Sequence, residues 1–132
     1  MNNHDFRVNL VDDYLKRLSL SKKIKEYYYG RNILVTGGAG AIGSNLVIAL
    51  SKLVGDDGMI IVLDNLSAIK GHDPIDLPPL PNMMFVNGDV RNDIDLKRVF
   101  RENPTIVFHL AAFFANQNSV DYSETSADVD IQ

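Results

Sequence analysis

Four short apolar runs recur along the chain and predict the strands of a buried sheet. They span residues 32–36, 59–63, 83–87 and 105–110, and none of them alternates between apolar and polar positions. Continuous apolar runs of this length are typical of parallel strands that are buried on both faces. A sheet built from such strands needs helices on its faces, so we expect an α/β fold.

Helical periodicity supplies the expected cover. After the first strand, apolar residues follow at a spacing of three and four, and the pattern ends at Gly55; they are Leu46, Val47, Leu50, Leu53 and Val54. Asn92 is predicted to cap a second helix that turns Leu96, Val99 and Phe100 toward the sheet. The order of strands and helices predicts a doubly wound parallel sheet with strand order 3-2-1-4, truncated after the fourth strand.

Residues 1–30 form a separate, helical N-terminal extension in this prediction, ahead of a domain that covers residues 31–132. Apolar residues at helical spacing are Leu10, Val11, Tyr14, Leu15 and Leu18. Asn9 and Asp12 resemble a capping pair for this helix, and a second short helix is expected over residues 21–29. We expect Leu15 and Leu18 to face inward against the domain. An oligomer contact is the alternative, and a membrane-surface helix is less favoured because basic residues are few.

Glycines dominate the stretch that follows the first strand. They satisfy two spacings, Gly38-x-Gly40-x-x-Gly43 and Gly37-x-x-Gly40-x-x-Gly43. A tight strand-to-helix turn needs positive φ, and a pyrophosphate approaches the backbone only where no Cβ intervenes. The helix N-terminus then offers N–H groups and a positive dipole end to phosphates. Taken alone, this pattern is equally compatible with a simple turn.

An acidic residue at the end of the second strand favours a dinucleotide. Asp64 lies 21 residues after Gly43, the spacing of the acid that receives the ribose hydroxyls of an adenine dinucleotide. No Gly-x-x-x-x-Gly-Lys-Ser/Thr motif is present, which disfavours a nucleoside triphosphate loop. His109, near the end of the fourth strand, is expected to be a hydrogen-bonded core residue rather than a catalyst.

The composition of the chain makes some classes of binding partner less favourable than others. The net charge of −4 provides no general attraction to nucleic acid or to an anionic membrane. Cysteine is absent and the three histidines are scattered, so we expect no metal site and, by default, a reducing cytoplasmic compartment. No apolar run approaches the roughly 18 residues of a membrane span, and the first residues lack the layout of a signal peptide.

Four motifs follow one another along the chain, each at or just after the end of a predicted strand. They are Thr36-Gly37-Gly38-Ala39-Gly40-Ala41-Ile42-Gly43, Asp64-Asn65-Leu66-Ser67, Gly88-Asp89-Val90-Arg91 and His109-Leu110-Ala111-Ala112. Together they resemble the NAD-dependent epimerase/dehydratase family, the extended short-chain dehydrogenases/reductases that act on nucleotide sugars and include UDP-glucose 4-epimerases. The resemblance covers residues 32–130 and leaves the N-terminal extension outside. Ser123 and Asp130 depart from it, because the family commonly has Pro and Asn there.

The resemblance implies a Rossmann-type domain that binds NAD. The residues implied are Gly37, Gly40, Ala41, Ile42 and Gly43 for the pyrophosphate, Asp64 and Asn65 for the adenosine ribose, Asp89 and Val90 for the adenine, and Leu110, Ala111 and Ala112 for the nicotinamide ribose side. In such enzymes NAD takes a hydride from the sugar and usually returns it, while a Tyr-x-x-x-Lys pair acts as acid and base. That pair is absent from the 132 residues, so no catalytic residue is assigned.

These inferences combine into one functional prediction. The chain is expected to be the NAD-binding portion of a nucleotide-sugar epimerase, an isomerase that would use a nucleotide-sugar substrate and could be a homo-oligomer. We expect the 132 residues alone to be inactive. The alternatives are a nucleotide-sugar 4,6-dehydratase of the same family and a stand-alone, non-catalytic dinucleotide-binding protein.

Overall fold

The computed structural model describes residues 3–67 and 77–112. The elements in these ranges are α1 (Asn3–Leu18), α2 (Lys22–Tyr28), β1 (Asn32–Thr36), α3 (Ala41–Val54), β2 (Met59–Asp64), β3 (Met83–Asn87), α4 (Asp93–Phe100) and β4 (Ile106–His109). Residues 68–76 and 113–132, which include Ser123 and Asp130, lie outside the described residues. In the part of the chain that is described, no helix has the length and apolar character needed to span a membrane.

The strands form one parallel sheet in the order β3-β2-β1-β4, as predicted. In the centre of this sheet, Leu34 of β1 pairs with Ile61 of β2 and with Val107 of β4. Sequence neighbours such as β1 and β2 are joined through a helix, as parallel strands require. The fold is therefore the α/β, Rossmann-like doubly wound sheet that the sequence predicts.

Two apolar clusters cover the two faces of the central strands. Alternate residues of β1 separate between them: Ile33 and Val35 pack with α3, while Leu34 packs with Val99 of α4. All three β1 residues are at most 1% exposed. Burial on both faces explains why the strand sequences are continuously apolar, because neither side of the pleat contacts water.

The sheet is open at its β4 edge, and large apolar residues of β4 and α4 are exposed. Val107 of β4 is 47% exposed, and Phe100 of α4 is 48% exposed although it was expected to face inward. Within the described residues β4 has a partner strand on one side only, which is β1. The prediction for Phe100 was wrong because helical spacing identifies an apolar face without specifying how much of that face a neighbour covers.

The N-terminal helices form as predicted and both contact α3. The predicted Asn9–Asp12 cap was wrong, because α1 begins at Asn3 and no helix-breaking residue intervenes; Asp12 instead pairs with Lys16 at 3.0 Å. Leu15 is half-buried, but Leu18 is 45% exposed rather than inward. Four-residue spacing puts Leu18 in an exposed row on α1 with Phe6, Leu10 and Tyr14. The interpretation of α1 as an oligomer contact stays a prediction.

We expect deletion of residues 1–30 to lower the thermal midpoint by about 4 °C or more, because even 1 kcal/mol has this effect in a chain of this size. The deletion removes the packing of Tyr28 against the core, the bond from Gly30 N to Val54 O at 3.0 Å and the packing of α1 on α3. Circular dichroism melting measures the midpoint. The full chain carrying Phe6→Gln and Leu10→Gln is the control, and should melt like the parent chain because both residues are mainly exposed. Identical melting of the deletion variant would contradict the prediction.

Candidate functional site

The turn between β1 and α3 is built on glycines that the fold itself requires. Gly37 has φ of +73°, in the left-handed region. A Cβ on Gly37 would lie 2.8 Å from the amide nitrogen of Ala111, so a side chain there would also displace the segment after β4. A Cβ on Gly43 would collide with the carbonyl oxygen of Gly37 and lie 2.8 Å from the Cα of Gly38. These glycines therefore fix α3 against the turn.

Gly40 differs from these two glycines. Its φ of −76° is accessible to any residue, and the nearest atom to a Cβ built on it is the Gly37 carbonyl oxygen at 3.6 Å. Neither backbone conformation nor packing inside the chain therefore demands glycine at this position. A glycine here instead leaves the backbone open to close approach from outside, which is what a bound pyrophosphate requires.

The first turn of α3 offers its N–H groups without a side-chain cap. Gly40 is the N-cap residue and makes no side-chain capping bond, and no acidic residue stands in the first turn. Ala41 and Ile42 are both exposed, Ile42 to 79%. A helix end of this kind favours an anionic ligand, since the N–H groups and the helix dipole both present positive charge.

Asp64 ends β2 and faces the glycine turn. Its Oδ2 accepts a hydrogen bond from the amide of Ala39 at 2.9 Å, and its Oδ1 accepts one from the amide of Leu66 at 2.7 Å. Each carboxylate oxygen has two acceptor positions, so these two bonds between described residues leave one position on each oxygen. The two amides hold the carboxylate in a fixed orientation, with capacity to accept from two further donors.

Asp89, which follows β3, forms a polar cluster with Arg91 and Asn65. The Arg91 guanidinium donates to Asp89 Oδ1 at 3.0 Å and to Oδ2 at 2.8 Å, and the Asn65 amide donates to Oδ2 at 3.1 Å. The Arg91 side chain, with the Arg91 and Asn65 amides, holds the pKa of the Asp89 carboxyl well below its usual range. The structure thus brings Asn65 and Asp89 into direct contact, although 24 residues separate them.

Val90 is placed differently from its neighbours. Its side chain is 7% exposed and belongs to the apolar cluster with Val86 and Val99. A ligand at this edge would therefore meet the main chain of Val90 rather than its side chain. The assignment of Val90 to the adenine stays a prediction, and the structure adds that its side chain packs in the core.

Thr36 connects the end of β1 to the end of β4. Its hydroxyl oxygen accepts from the amides of Leu110 at 3.1 Å and Ala111 at 3.2 Å, and lies 2.7 Å from Nδ1 of His109. Amides only donate, so the hydroxyl proton is available for Nδ1, which favours the His109 tautomer protonated on Nε2. The expected hydrogen bond of His109 is confirmed, but its expected burial was wrong: the residue is exposed, since β4 lies at the edge of the described sheet.

All of the predicted site residues lie at the carboxyl ends of the four strands. Leu110 and Ala112 are exposed there and Ala111 is half-buried. Sequence reasoning assigned no role to Thr36, Ala39 or Arg91. Thr36 could have been noticed because it is a polar residue at the end of an otherwise apolar strand. Arg91 could have been noticed because it stands two residues after Asp89, close enough to form an ion pair with it. No pattern in the sequence pointed to the amide of Ala39.

We expect Asp89→Asn to reduce the free energy of unfolding by about 1 kcal/mol at neutral pH. Folding lowers the pKa of Asp89 below its usual value near 3.8, so its contribution is complete above about pH 5 and is lost progressively as pH falls further. Urea unfolding of the two proteins from pH 7 to pH 3 measures this. The stability difference should stay constant above pH 5 and shrink below pH 4.

The control repeats the Asp89→Asn comparison in a chain that also carries Arg91→Ala. Because Arg91 is the main cause of the lowered pKa, the Asp89→Asn substitution should then have a smaller and less pH-dependent effect. An unchanged effect in the Arg91→Ala background would mean that Arg91 does not stabilise the charged carboxylate.

Comparison with known sequences gives consistent matches. The chain is 44% identical over 92 residues to a CDP-paratose 2-epimerase of Salmonella typhi, covering 67% of this chain and 26% of the relative. It is 38% identical over 100 residues to a putative UDP-glucose 4-epimerase of Methanocaldococcus jannaschii (75% and 30%). It is 37% identical over 102 residues to a dTDP-D-glucose 4,6-dehydratase of Dictyostelium discoideum (75% and 23%). The chain thus spans less than a third of the length of these relatives.

Solved structures resemble the fold as well. An epimerase from Methanothermobacter thermautotrophicus matches with a TM-score of 0.69 and 48% identity, over 80% of this chain and 30% of that one. The Bordetella bronchiseptica enzyme WbmF, in complex with NAD⁺, matches with a TM-score of 0.65 and 30% identity, over 78% and 29%. A model of the NAD dependent epimerase/dehydratase family matches residues 33–132. The chain therefore belongs to the NAD-dependent epimerase/dehydratase family.

Proposed function

We propose that this chain is the NAD-binding portion of a nucleotide-sugar epimerase, with residues 1–30 as a helical extension and residues 31–132 as the dinucleotide-binding domain. The observation that carries the proposal is the glycine turn. The fold does not require glycine at position 40, so the absence of a side chain there leaves room for a ligand. The Asp64 carboxylate faces the same turn, and the two amide bonds it accepts leave further acceptor positions on its oxygens. This combination suits a diphosphate that is joined to an adenosine ribose.

Each part of the edge has a role in the proposed complex. The pyrophosphate would lie over the turn and the first helical residues, Gly37, Gly40, Ala41, Ile42 and Gly43. The adenosine ribose would contact Asp64 and Asn65, the adenine would contact Asp89 and the main chain of Val90, and the nicotinamide ribose would lie beside Leu110, Ala111 and Ala112. The direct bond between Asn65 and Asp89 supports this order, because ribose and base are neighbours in adenosine.

NAD, when bound, would supply a hydride acceptor for the sugar. The residues of this chain bind and orient the dinucleotide, and they do so with backbone N–H groups, one ribose-binding carboxylate and small residues at the end of β4. None of the 132 residues is proposed to move a proton, because the chain has no Tyr-x-x-x-Lys pair. In particular, Nδ1 of His109 is hydrogen-bonded to the Thr36 hydroxyl, and His109 is not assigned as a base.

Two alternatives remain within this proposal. A 4,6-dehydratase would bind the same cofactor with the same residues, and the match to a dTDP-D-glucose 4,6-dehydratase favours it as the second candidate. A stand-alone dinucleotide-binding protein would bind NAD without any reaction. Incubating the whole protein with a nucleotide sugar separates them, since an epimer, a 4-keto product or no product identifies the three. A cytoplasmic location is part of the proposal and rests on the absence of cysteine.

We expect Gly40→Ala to leave the thermal midpoint within about 2 °C of the parent, because its Cβ has room and its φ is ordinary. The same methyl group would lie where the diphosphate approaches, so NADH affinity should fall at least about tenfold. NADH fluorescence titration measures the affinity. Gly43→Ala is the contrasting variant, and should lose thermal stability itself because its Cβ collides with Gly37. Unchanged NADH affinity in a folded Gly40→Ala variant would contradict the assignment.

We expect a preference for NAD(H) over NADP(H), because the Asp64 carboxylate accepts ribose hydroxyls and repels a 2′-phosphate. Asp64→Ala should reduce the ratio of NADH to NADPH affinity by about tenfold or more. Asp56→Ala is the control, since it removes the same charge from an exposed loop and should leave the ratio unchanged. Equal binding of the two cofactors by the parent chain would show that Asp64 does not receive the ribose.

A further inference from the structure

The N-terminal helix reaches the first turns of α3 through one arginine. Nη2 of Arg7 donates to Oγ of Ser44 at 2.8 Å and to Oδ1 of Asn45 at 3.0 Å. Arg7 is half-buried and Ser44 is fully buried. The contact links residues that are 37 and 38 positions apart, so it exists only because α1 docks on α3.

The two side chains that accept from Arg7, Ser44 and Asn45, both donate hydrogen bonds to one backbone atom. Oγ of Ser44 and Nδ2 of Asn45 each donate to the carbonyl oxygen of Ala41 at 3.3 Å. A hydroxyl or amide that accepts a bond from a guanidinium becomes a better donor, because successive hydrogen bonds polarise one another. Arg7 therefore holds two side chains against the carbonyl of Ala41, the first residue of α3.

The carbonyl of Ala41 belongs to the same planar peptide unit as the N–H of Ile42. Ala41 and Ile42 are both among the residues proposed to hold the pyrophosphate. Fixing the carbonyl fixes the direction in which that N–H points, and bonds to the carbonyl also strengthen the N–H as a donor. An anion that binds a pre-oriented donor loses less free energy to ordering than one that must orient the donor itself.

This network begins outside the family region of the chain. The family model matches from residue 33 onward, whereas Arg7 lies in the N-terminal extension. The two acceptors are polar residues next to the last glycine of the turn. The extension thus adds a hydrogen-bonding layer behind a part of the site that the family region already forms.

We propose that Arg7 is a positioning residue for the dinucleotide: acting through Ser44 and Asn45, it orients the Ala41–Ile42 peptide toward the diphosphate. This inference rests on the proposed function, since it presupposes that a dinucleotide occupies the glycine turn. It assigns a binding role to the N-terminal extension in addition to its packing on α3.

A purely structural role for Arg7 is the rival explanation, and the chain offers a matched control. Lys52, near the other end of α3, also contacts α1, with its Nζ 4.0 Å from Oδ1 of Asp12. Lys52→Ala removes an α1–α3 contact without touching Ser44, Asn45 or Ala41. A weakening of binding that reflects only looser docking of α1 should appear in both variants.

The test is NADH titration of the full chain, at a temperature where melting curves show every variant to be folded. Arg7→Ala should weaken NADH binding about three- to tenfold, while Lys52→Ala stays within about twofold of the parent. Arg7→Lys should recover most of the affinity, because an ammonium group also has several N–H donors. In a Ser44→Ala background the Arg7→Ala substitution should have a smaller effect, since both residues act through one network.

Three outcomes would overturn the inference. The first is an Arg7→Ala variant that binds NADH as tightly as the parent. The second is an equal weakening in Arg7→Ala and Lys52→Ala, and the third is full additivity with Ser44→Ala. A parent chain that fails to bind NADH at all would instead refute the proposed function, and the inference with it, so the two failures are distinguishable.

Discussion

The close approach of backbone to backbone in the glycine turn is the constraint on which the site depends. Gly37 lies against the amide of Ala111, and Gly43 lies against the carbonyl of Gly37. These contacts leave no space for a Cβ, so they fix the end of β1, the start of α3 and the segment after β4 relative to one another. The helix N-terminus is thereby placed at the carboxyl edge of the sheet, where ligands of open α/β sheets bind.

Polar contacts then tie the other strand ends to this turn. The amide of Ala39 bonds to the carboxylate of Asp64, and the hydroxyl of Thr36 bonds to the amides that follow β4. These hydrogen bonds hold the ends of β1, β2 and β4 in place relative to one another. The contact between Asn65 and Asp89 extends the same edge as far as β3.

Helix α3 links the sheet to the N-terminal extension. One of its faces buries Val47, Leu50 and Val54 against the core, and its first two turns receive the guanidinium of Arg7. Both contacts belong to one helix, so docking of α1 and the geometry of the glycine turn are physically connected. The proposed cofactor site in the family region would in this way be coupled to a segment that lies before the family match.

Local patterns determined most of the fold. Continuous apolar runs specified buried strands, glycine spacing specified the turn, and Asn92 specified the start of α4, whose amides at Ile94 and Asp95 it caps. These features depend on neighbours in sequence, and so does the position of Asp64 after β2. The predicted strand order also placed the carboxyl ends of the four strands at one edge of the sheet.

Tertiary structure alone decided what each face contacts. Leu18, Phe100 and His109 carry patterns typical of buried residues but are exposed, because burial depends on which element lies alongside. The bonds from Ala39 to Asp64 and from Arg7 to Ser44 join residues 25 and 37 positions apart. Such contacts form only after the chain has folded, since sequence spacing carries no information about which distant donor reaches a given acceptor.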